Sequence, residues 1–281
     1  MASDISPALA RRSGPGRILI PVVLAIAALI TLFPFYTMLI MSFKPVTDLS
    51  FPNALIPTGL TTEAYRTVLG GNDMIRWITN TLIYSLVSVV LVLLLASMAG
   101  YAFAKKRFPG RNAMFWSFLA MLMVPYHITL IPTFVILSHM DGVSTYWGLI
   151  VPTLANAQAT FLMRQFIYGI PDSLLEAARM DGASDLRIFF QLILPLCRPI
   201  LATLGLFVFL WHWNDFLWPL VIGQEPEMRT LTTGIAGLMR ESTPLNVTLA
   251  GSVVALVPIF LAYILAQRHF TEGVAMTGVK G

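Results

Sequence analysis

Charge is what this sequence has least of. Aspartate, glutamate, lysine and arginine together make up 11% of its 281 residues, against 57% hydrophobic residues and a mean hydropathy of +0.76. A water-soluble domain carries about a quarter charged residues. Too little polar surface is left to clothe a soluble globule of this size, and an integral membrane protein is the class that fits. Cysteine is nearly missing: Cys197 stands alone, which excludes an internal disulfide and a cysteine-based metal site. The four histidines, His127, His139, His212 and His269, show no ligand spacing. No G-x-x-x-x-G-K-[ST] loop occurs, so the chain has no means of hydrolysing ATP by itself. H-E-x-x-H and G-x-S-x-G are absent too, and no two carboxylates pair inside an apolar run, so nothing marks a membrane-embedded enzyme.

What is present is long apolar runs. A membrane-spanning helix needs about 20 mostly apolar residues, and six segments qualify: Ile18–Phe43, Trp77–Ala104, Ala113–Leu137, Trp147–Tyr168, Ile200–Ile222 and Val247–Ala266. The first is too long for a signal-peptide core and lacks a small-residue cleavage site after it, so it reads as a retained span. The third contains Pro125 and Pro132, and proline removes a backbone donor and kinks a helix. The net charge of +4 points to membrane orientation rather than to nucleic acid, because cytoplasmic loops carry an excess of lysine and arginine. Thirteen of these residues fall on one side, among them Arg11, Arg12, Lys105, Lys106, Arg107, Arg179 and Arg268; five fall on the other, Lys44, Arg66, Arg76, Arg229 and Arg240. The bias puts both termini and the connection between spans four and five in the cytoplasm. No repeat or low-complexity linker divides the chain. The outer connection from Lys44 to Arg76, rich in proline and glycine, reads as an irregular cap with one short helix near Glu63–Leu69.

The connection after span four reads EAARMDGASDLRIFFQLILPLCRP, Glu176 to Pro199, and concentrates charge where the spans on either side carry one charged residue each, Arg164 and Asp215. Pro171 opens a helix in which Ser173 and Glu176 have the S-x-x-E spacing of a capping box. Gly182 suits a left-handed C-terminal cap. Ser184 or Asp185 starts a second helix, which Pro195 and Pro199 punctuate. Small residues that permit close backbone approach, ringed by Glu176, Arg179, Asp181, Asp185 and Arg187, fit a cleft on another protein with electrostatic registration.

EAARMDGA followed by FFQLILPLCRP resembles the EAA motif of permease subunits in binding-protein-dependent ABC importers. VPYHITLIP, FLMRQFIYGIPDSLLEAA, WNDFLWPL, TLTTGIAGL and the closing TGVKG are similar to the maltose-type (MalG-like) carbohydrate permeases, in order and over most of Arg107–Gly281. The resemblance implies an all-α polytopic membrane protein with six transmembrane helices in the type I ABC importer permease architecture. Its domains would be a cytoplasmic segment at 1–17, a six-helix permease domain at 18–266 with coupling helices at about 169–199, and a cytoplasmic tail at 267–281. By position, Glu176, Ala177, Ala178, Asp181, Gly182 and Ala183 become the residues that dock on an ATPase subunit. Gly278 and Lys280 in the tail reach the ATPase dimer, and the loop Gly223–Asn246 faces an extracytoplasmic solute-binding protein. A second homologous permease completes the pathway. ATP and Mg are bound by partner subunits, with no cofactor in this chain. The solute is sugar-like, and the location is the cytoplasmic (inner) membrane of a bacterium or archaeon.

Asp215 is the only acid inside an expected span. An aspartate at mid-helix costs about 2.5–3.5 kcal/mol, and such a residue faces the bundle interior or a watery path. Trp211, Asn214, Asp215 and Trp218 share one face if the helix is continuous. Trp211, Asn214 and Asp215, with His127 between the two prolines of span three, are candidate pathway residues. The alternative for Asn214 and Asp215 is bonding to a partner helix while the tryptophans sit at the membrane interface. An ion-gradient-driven secondary transporter is the competing function, although such proteins carry several intramembrane charges or unwound half-helices.

Overall fold

A computed structural model describes residues 16–71, 73–240 and 243–277. The expectation for Gly278 and Lys280 lies outside the described residues. Among those described, no strand occurs. The helices are α1 (Gly16–Ser42), α2 (Glu63–Gly70), α3 (Met74–Lys105), α4 (Arg111–Ala120), α5 (Tyr126–His139), α6 (Tyr146–Ile150), α7 (Ala157–Tyr168), α8 (Asp172–Met180), α9 (Asp185–Ile188), α10 (Leu194–Leu196), α11 (Arg198–Trp213), α12 (Leu217–Ile222), α13 (Leu231–Arg240) and α14 (Leu245–Thr277).

Three helices, over Leu19–Ser42, Met74–Lys105 and Leu245–Leu265, are long and apolar enough to cross a membrane, and up to five crossings result if each of two bent pairs is one span. The other three expected spans are interrupted. In the third, α4 and α5 meet at 102°. Pro125 caps α5, and Val124 before it is extended at φ −83° and ψ 116°, as a residue preceding proline prefers. Pro132 stays inside α5 without ending it. The fourth span divides into α6, a 3-10 turn at Val151–Thr153 that contains Pro152, and α7. The fifth divides at Asn214–Phe216 into α11 and α12. The short helix expected in the outer connection is α2, whose Ala64 and Val68 are buried against α3 and α14.

α3 is the central element. It contributes Val92, Ala96 and Tyr101 to one core with α7, α8, α9 and α11, Met74 and Trp77 to a second with α2, α13 and α14, and Tyr84 to a third with α5, α6 and α12. α1 packs against α14 and meets Tyr65 of α2 through its buried Ser42, but every side chain from Leu19 to Tyr36 is exposed, which suits lipid or a second apolar chain.

The contact of α3 with α7 rests on Gly100. A Cβ there would lie 2.9 Å from both the Arg164 backbone nitrogen and the Met163 Cβ, neither of which is a flexible side-chain end. Gly100→Val should therefore destabilise the purified chain by about 2–3 kcal/mol through overpacking, read as a lowered thermal midpoint in detergent.

Candidate functional site: the α8–α9 knuckle and the helix-break face

α8 begins one residue after Pro171, whose fixed φ of −59° suits the extended entry at ψ 133°. The expected capping box does not form. The helix starts early enough to put Ser173 inside its first turn, and no side chain caps it. The first-turn acid, Asp172, is engaged elsewhere. The far end of α8 follows the sequence: Gly182 sits at φ +79°, the Gly182 N–H donates to Arg179 O and the Ala183 N–H to Ala178 O, each at 3.0 Å. These are the two bonds of a Schellman motif. Ser184 Oγ then accepts from the Arg187 N–H and caps α9. A π-helical turn at Phe189–Ile193 follows, and the chain bends by 78° into α11.

The knuckle does not hang free. Leu175, Ile188 and Phe189 are buried in the core that holds Tyr101, Ile167 and Cys197. Of the expected docking residues, Glu176, Ala177, Asp181 and Gly182 are exposed. Ala178 and Ala183 are half-buried and pack against that core. Sequence reasoning passed over Leu174, Leu186 and Met180, the last 88% exposed. Their signal was an apolar side chain recurring in a charged segment.

Two successive lysines at the end of α3 hold this element. Lys105 Nζ donates to Asp172 Oδ1 at 2.7 Å, to Ile170 O at 2.5 Å and to Tyr168 O at 3.3 Å, and its side chain is only 6% exposed. Lys106 pairs with Asp185, which Arg179 also approaches at 4.0 Å. Hydrogen bonding to Lys105 holds the Asp172 carboxyl below the usual carboxylate range, and hydrogen bonding to Lys106 does the same for Asp185. In the sequence both lysines registered only as orienting charge.

The helix breaks converge. His212 Nε2 lies 3.0 Å from Thr153 Oγ1, which joins the break after α6 to the end of α11. The Tyr126 ring, just after the break before α5, meets Trp211 edge-on at 6.2 Å. The Tyr84 hydroxyl of α3 donates to Asp215 Oδ2 at 2.9 Å, and the Thr232 hydroxyl donates to Asp215 O at 2.6 Å. Asp215 is thus bonded to partner helices. The expected four-residue face is split by the break: Trp211 is 47% exposed and Asn214 exposed, while Trp218 is 1% exposed and donates its indole N–H to Leu149 O. Trp218 is a core residue, neither pathway nor interface. His127 is exposed beside Tyr126. Tyr84 and Tyr126 are the site residues the sequence reading missed.

At the other end of α3, Asn80 Nδ2 donates to Glu227 O and Arg229 O at 2.7 and 2.8 Å, and Thr81 Oγ1 accepts from the Leu231 N–H. These bonds fix the segment leading into α13.

Apolar helices of bilayer length, interrupted helices that meet behind exposed aromatic rings, and a buttressed knuckle outside the apolar runs define a helical membrane protein. The chain belongs to the family described as binding-protein-dependent transport system inner membrane component, which it matches over residues 92–274, more than half its length. It is 37% identical to the arabinooligosaccharides transport system permease protein AraQ of Halalkalibacterium halodurans, over 92% of this chain and 94% of the relative. It is 31% identical to the sn-glycerol-3-phosphate transport system permease protein UgpE of Brucella abortus, over 91% and 94%. Its fold matches a chain in the crystal structure of a bacterial ABC transporter involved in the import of the acidic polysaccharide alginate, with a TM-score of 0.81, 25% identity and coverage of 96% of this chain and 100% of that one. The chain is accordingly a non-catalytic transport subunit.

Because the folded pKa of Asp172 is depressed, its pair with Lys105 stabilises above the ordinary carboxylate pKa and is lost only as pH falls through the lowered value. The thermal deficit of Asp172→Asn relative to the parent should stay constant from about pH 8 to pH 5 and shrink below about pH 4, measured by thermal unfolding in detergent.

Proposed function

We propose that this chain is half of the translocation pathway of an ATP-driven importer for a neutral oligosaccharide. In this reading the chain crosses the membrane six times, with α4–α5, α6–α7 and α11–α12 as broken crossings and both termini in the cytoplasm. The α8–α9 knuckle projects into the cytoplasm and docks on one subunit of an ATPase dimer, which binds ATP and Mg. The segment Gly223–Asn246 faces a solute-binding protein, and a second, homologous permease completes the pathway. The permease domain is residues 18–266, and the tail 267–281 lies on the ATPase side.

The observation that carries this is the two-sidedness of the knuckle. Leu175, Ile188 and Phe189 bind it into the core, while Glu176, Ala177, Met180, Asp181 and Leu186 are exposed on a segment outside the apolar runs. A connector without a partner has no need of a rigid base under a face of mixed small, apolar and charged side chains. An ion-gradient mechanism finds no support, since Asp215 is engaged by Tyr84 and by the Trp218 N–H.

Solute class follows from the helix-break face. Trp211 and Tyr126 offer aromatic surfaces suited to the C–H faces of sugar rings, and Asn214 and His127 offer hydrogen bonds. No lysine or arginine occurs in 125–137 or 199–222. UgpE is named for a phosphate ester and the alginate importer for an acidic polysaccharide, and both anions would favour a cation here. AraQ is named for arabinooligosaccharides, and a neutral saccharide of that kind suits this face.

In vesicles reconstituted with the ATPase, the binding protein and both permeases, uptake should follow internal ATP and ignore an imposed proton or sodium gradient. Ala177→Trp, at an exposed position that the fold tolerates, should insert normally and lower uptake about tenfold or more, equivalent to about 1.4 kcal/mol of lost coupling; normal uptake would remove the docking assignment. Trp211→Ala should leave ATPase assembly intact and reduce neutral oligosaccharide uptake about five- to tenfold, the scale of one aromatic contact of roughly 1–1.5 kcal/mol, measured with a radiolabelled saccharide.

A further inference from the structure

The joint between α7 and α8 is three residues long, Gly169–Pro171. Burial of Ile170 and Leu175 beside Ile167 of α7 restrains it in part. Lys105 closes it. The ammonium has three N–H donors, and they reach one acceptor on the last residue of α7, one inside the joint and one on the first residue of α8. The next residue, Lys106, takes Asp185, the first residue of α9. Its ammonium also lies 5.3 Å from the centre of the Tyr101 ring, which packs on Phe189 directly after α9. Both helices of the knuckle are therefore tied to the C-terminal end of one helix, α8 by that helix's last residue and α9 by the extended residue that follows it.

That helix is α3, 32 residues without a proline, about 48 Å long at 1.5 Å per residue. Its opposite end holds the Glu227–Leu231 segment through Asn80 and Thr81 and the α11–α12 break through Tyr84. We propose that Lys105 and Lys106 are positioning residues that clamp the knuckle to α3, so that a displacement of the knuckle is delivered along α3 to the Glu227–Leu231 segment and the Asp215 break instead of being absorbed at Gly169–Pro171. The inference rests on the reading that the knuckle docks an ATPase. Arg107, Arg111, Arg179 and Glu176 also line the cavity of about 590 Å³ beside the clamp. The clamp is thus a specific pairing within a mixed-charge cluster, not a contact between two isolated charges.

The test uses the full transporter in vesicles, with Lys106→Glu, Asp185→Lys, the double reversal and Lys105→Met. Three readouts are taken: ATPase retention on purification, ATP hydrolysis stimulated by the binding protein, and solute taken up per ATP hydrolysed. Each single change should retain the ATPase and lower solute per ATP about five- to tenfold, within the usual range of coupling effects. The double reversal should recover most of that loss, which a general loss of stability would not do. Singles that couple like the parent, or a double no better than its singles, overturn the clamp while leaving ATPase docking intact. A parent chain that retains no ATPase overturns the docking reading and the clamp together, and that outcome is distinguished by the retention measurement alone.

Discussion

An unpaired backbone amide in hydrocarbon costs several kcal/mol, so helix breaks are tolerated at membrane depth only where protein or enclosed water satisfies the freed groups. This chain interrupts three of its apolar stretches, and the remainder of the structure is arranged around meeting that requirement. Thr232 donates to Asp215 O at the α11–α12 break. Asn156 accepts from the Ala159 N–H where α7 starts, and Thr153 meets His212 beside it. Tyr84 supplies the hydroxyl that Asp215 needs. The breaks must lie close together for such short side chains to serve them, and their convergence is what produces an aromatic and polar face in an otherwise apolar bundle.

The same economy of groups governs the knuckle. Surface ion pairs contribute at most about 1 kcal/mol, so Lys106 and Asp185 set geometry more than stability. Lys105 differs, because its side chain is nearly buried and its ammonium is saturated by two carbonyls and a carboxylate. An arginine would present a planar fork of five donors, poorly matched to three acceptors gathered around one point. A compact ammonium suits the joint between two helices.

Much of this was legible in the sequence, and part of the rest depends on distant partners. The expected spans Ile18–Phe43 and Trp77–Ala104 correspond to α1 and α3 to within three residues, because a long apolar run needs no tertiary context to be a helix. Gly182 and Ser184 were readable because caps are local chemistry. The break at Asn214 had a local signal that was passed over, since Pro219 lacks the N–H that Asp215 O would accept in a continuous helix, and the single helical face drawn through Trp211, Asn214, Asp215 and Trp218 failed with it. Periodicity presumes continuity, and Tyr84, distant by 131 residues in the chain, bonds the Asp215 side chain within the break. Ser173 and Glu176 had the spacing of a capping box, yet the helix starts too early for one, next to an Asp172 held by Lys105 from 67 residues away. Long-range partners that redirect a local preference leave no signature in local spacing.

The three cores show where motion is permitted. α3 enters all of them, and α11 joins two, through Leu204 and Val208 in one and Trp213 in another. α5, α6 and α12 share only the core built around Tyr84, Leu149 and Trp218, and α5 meets α4 at a sharp bend with an extended residue between them. A rotation of α3 that keeps the two larger cores intact therefore carries α2, α7, α11, α13, α14 and the knuckle with it, and either breaks the contact at Tyr84 or takes α5, α6 and α12 along. The exposed rings of Tyr126 and Trp211 lie across that contact, one on each side of it. If that contact gives, the separation of the two rings changes with it, which places the candidate solute contacts at the seam between the α3 body and α5, α6 and α12.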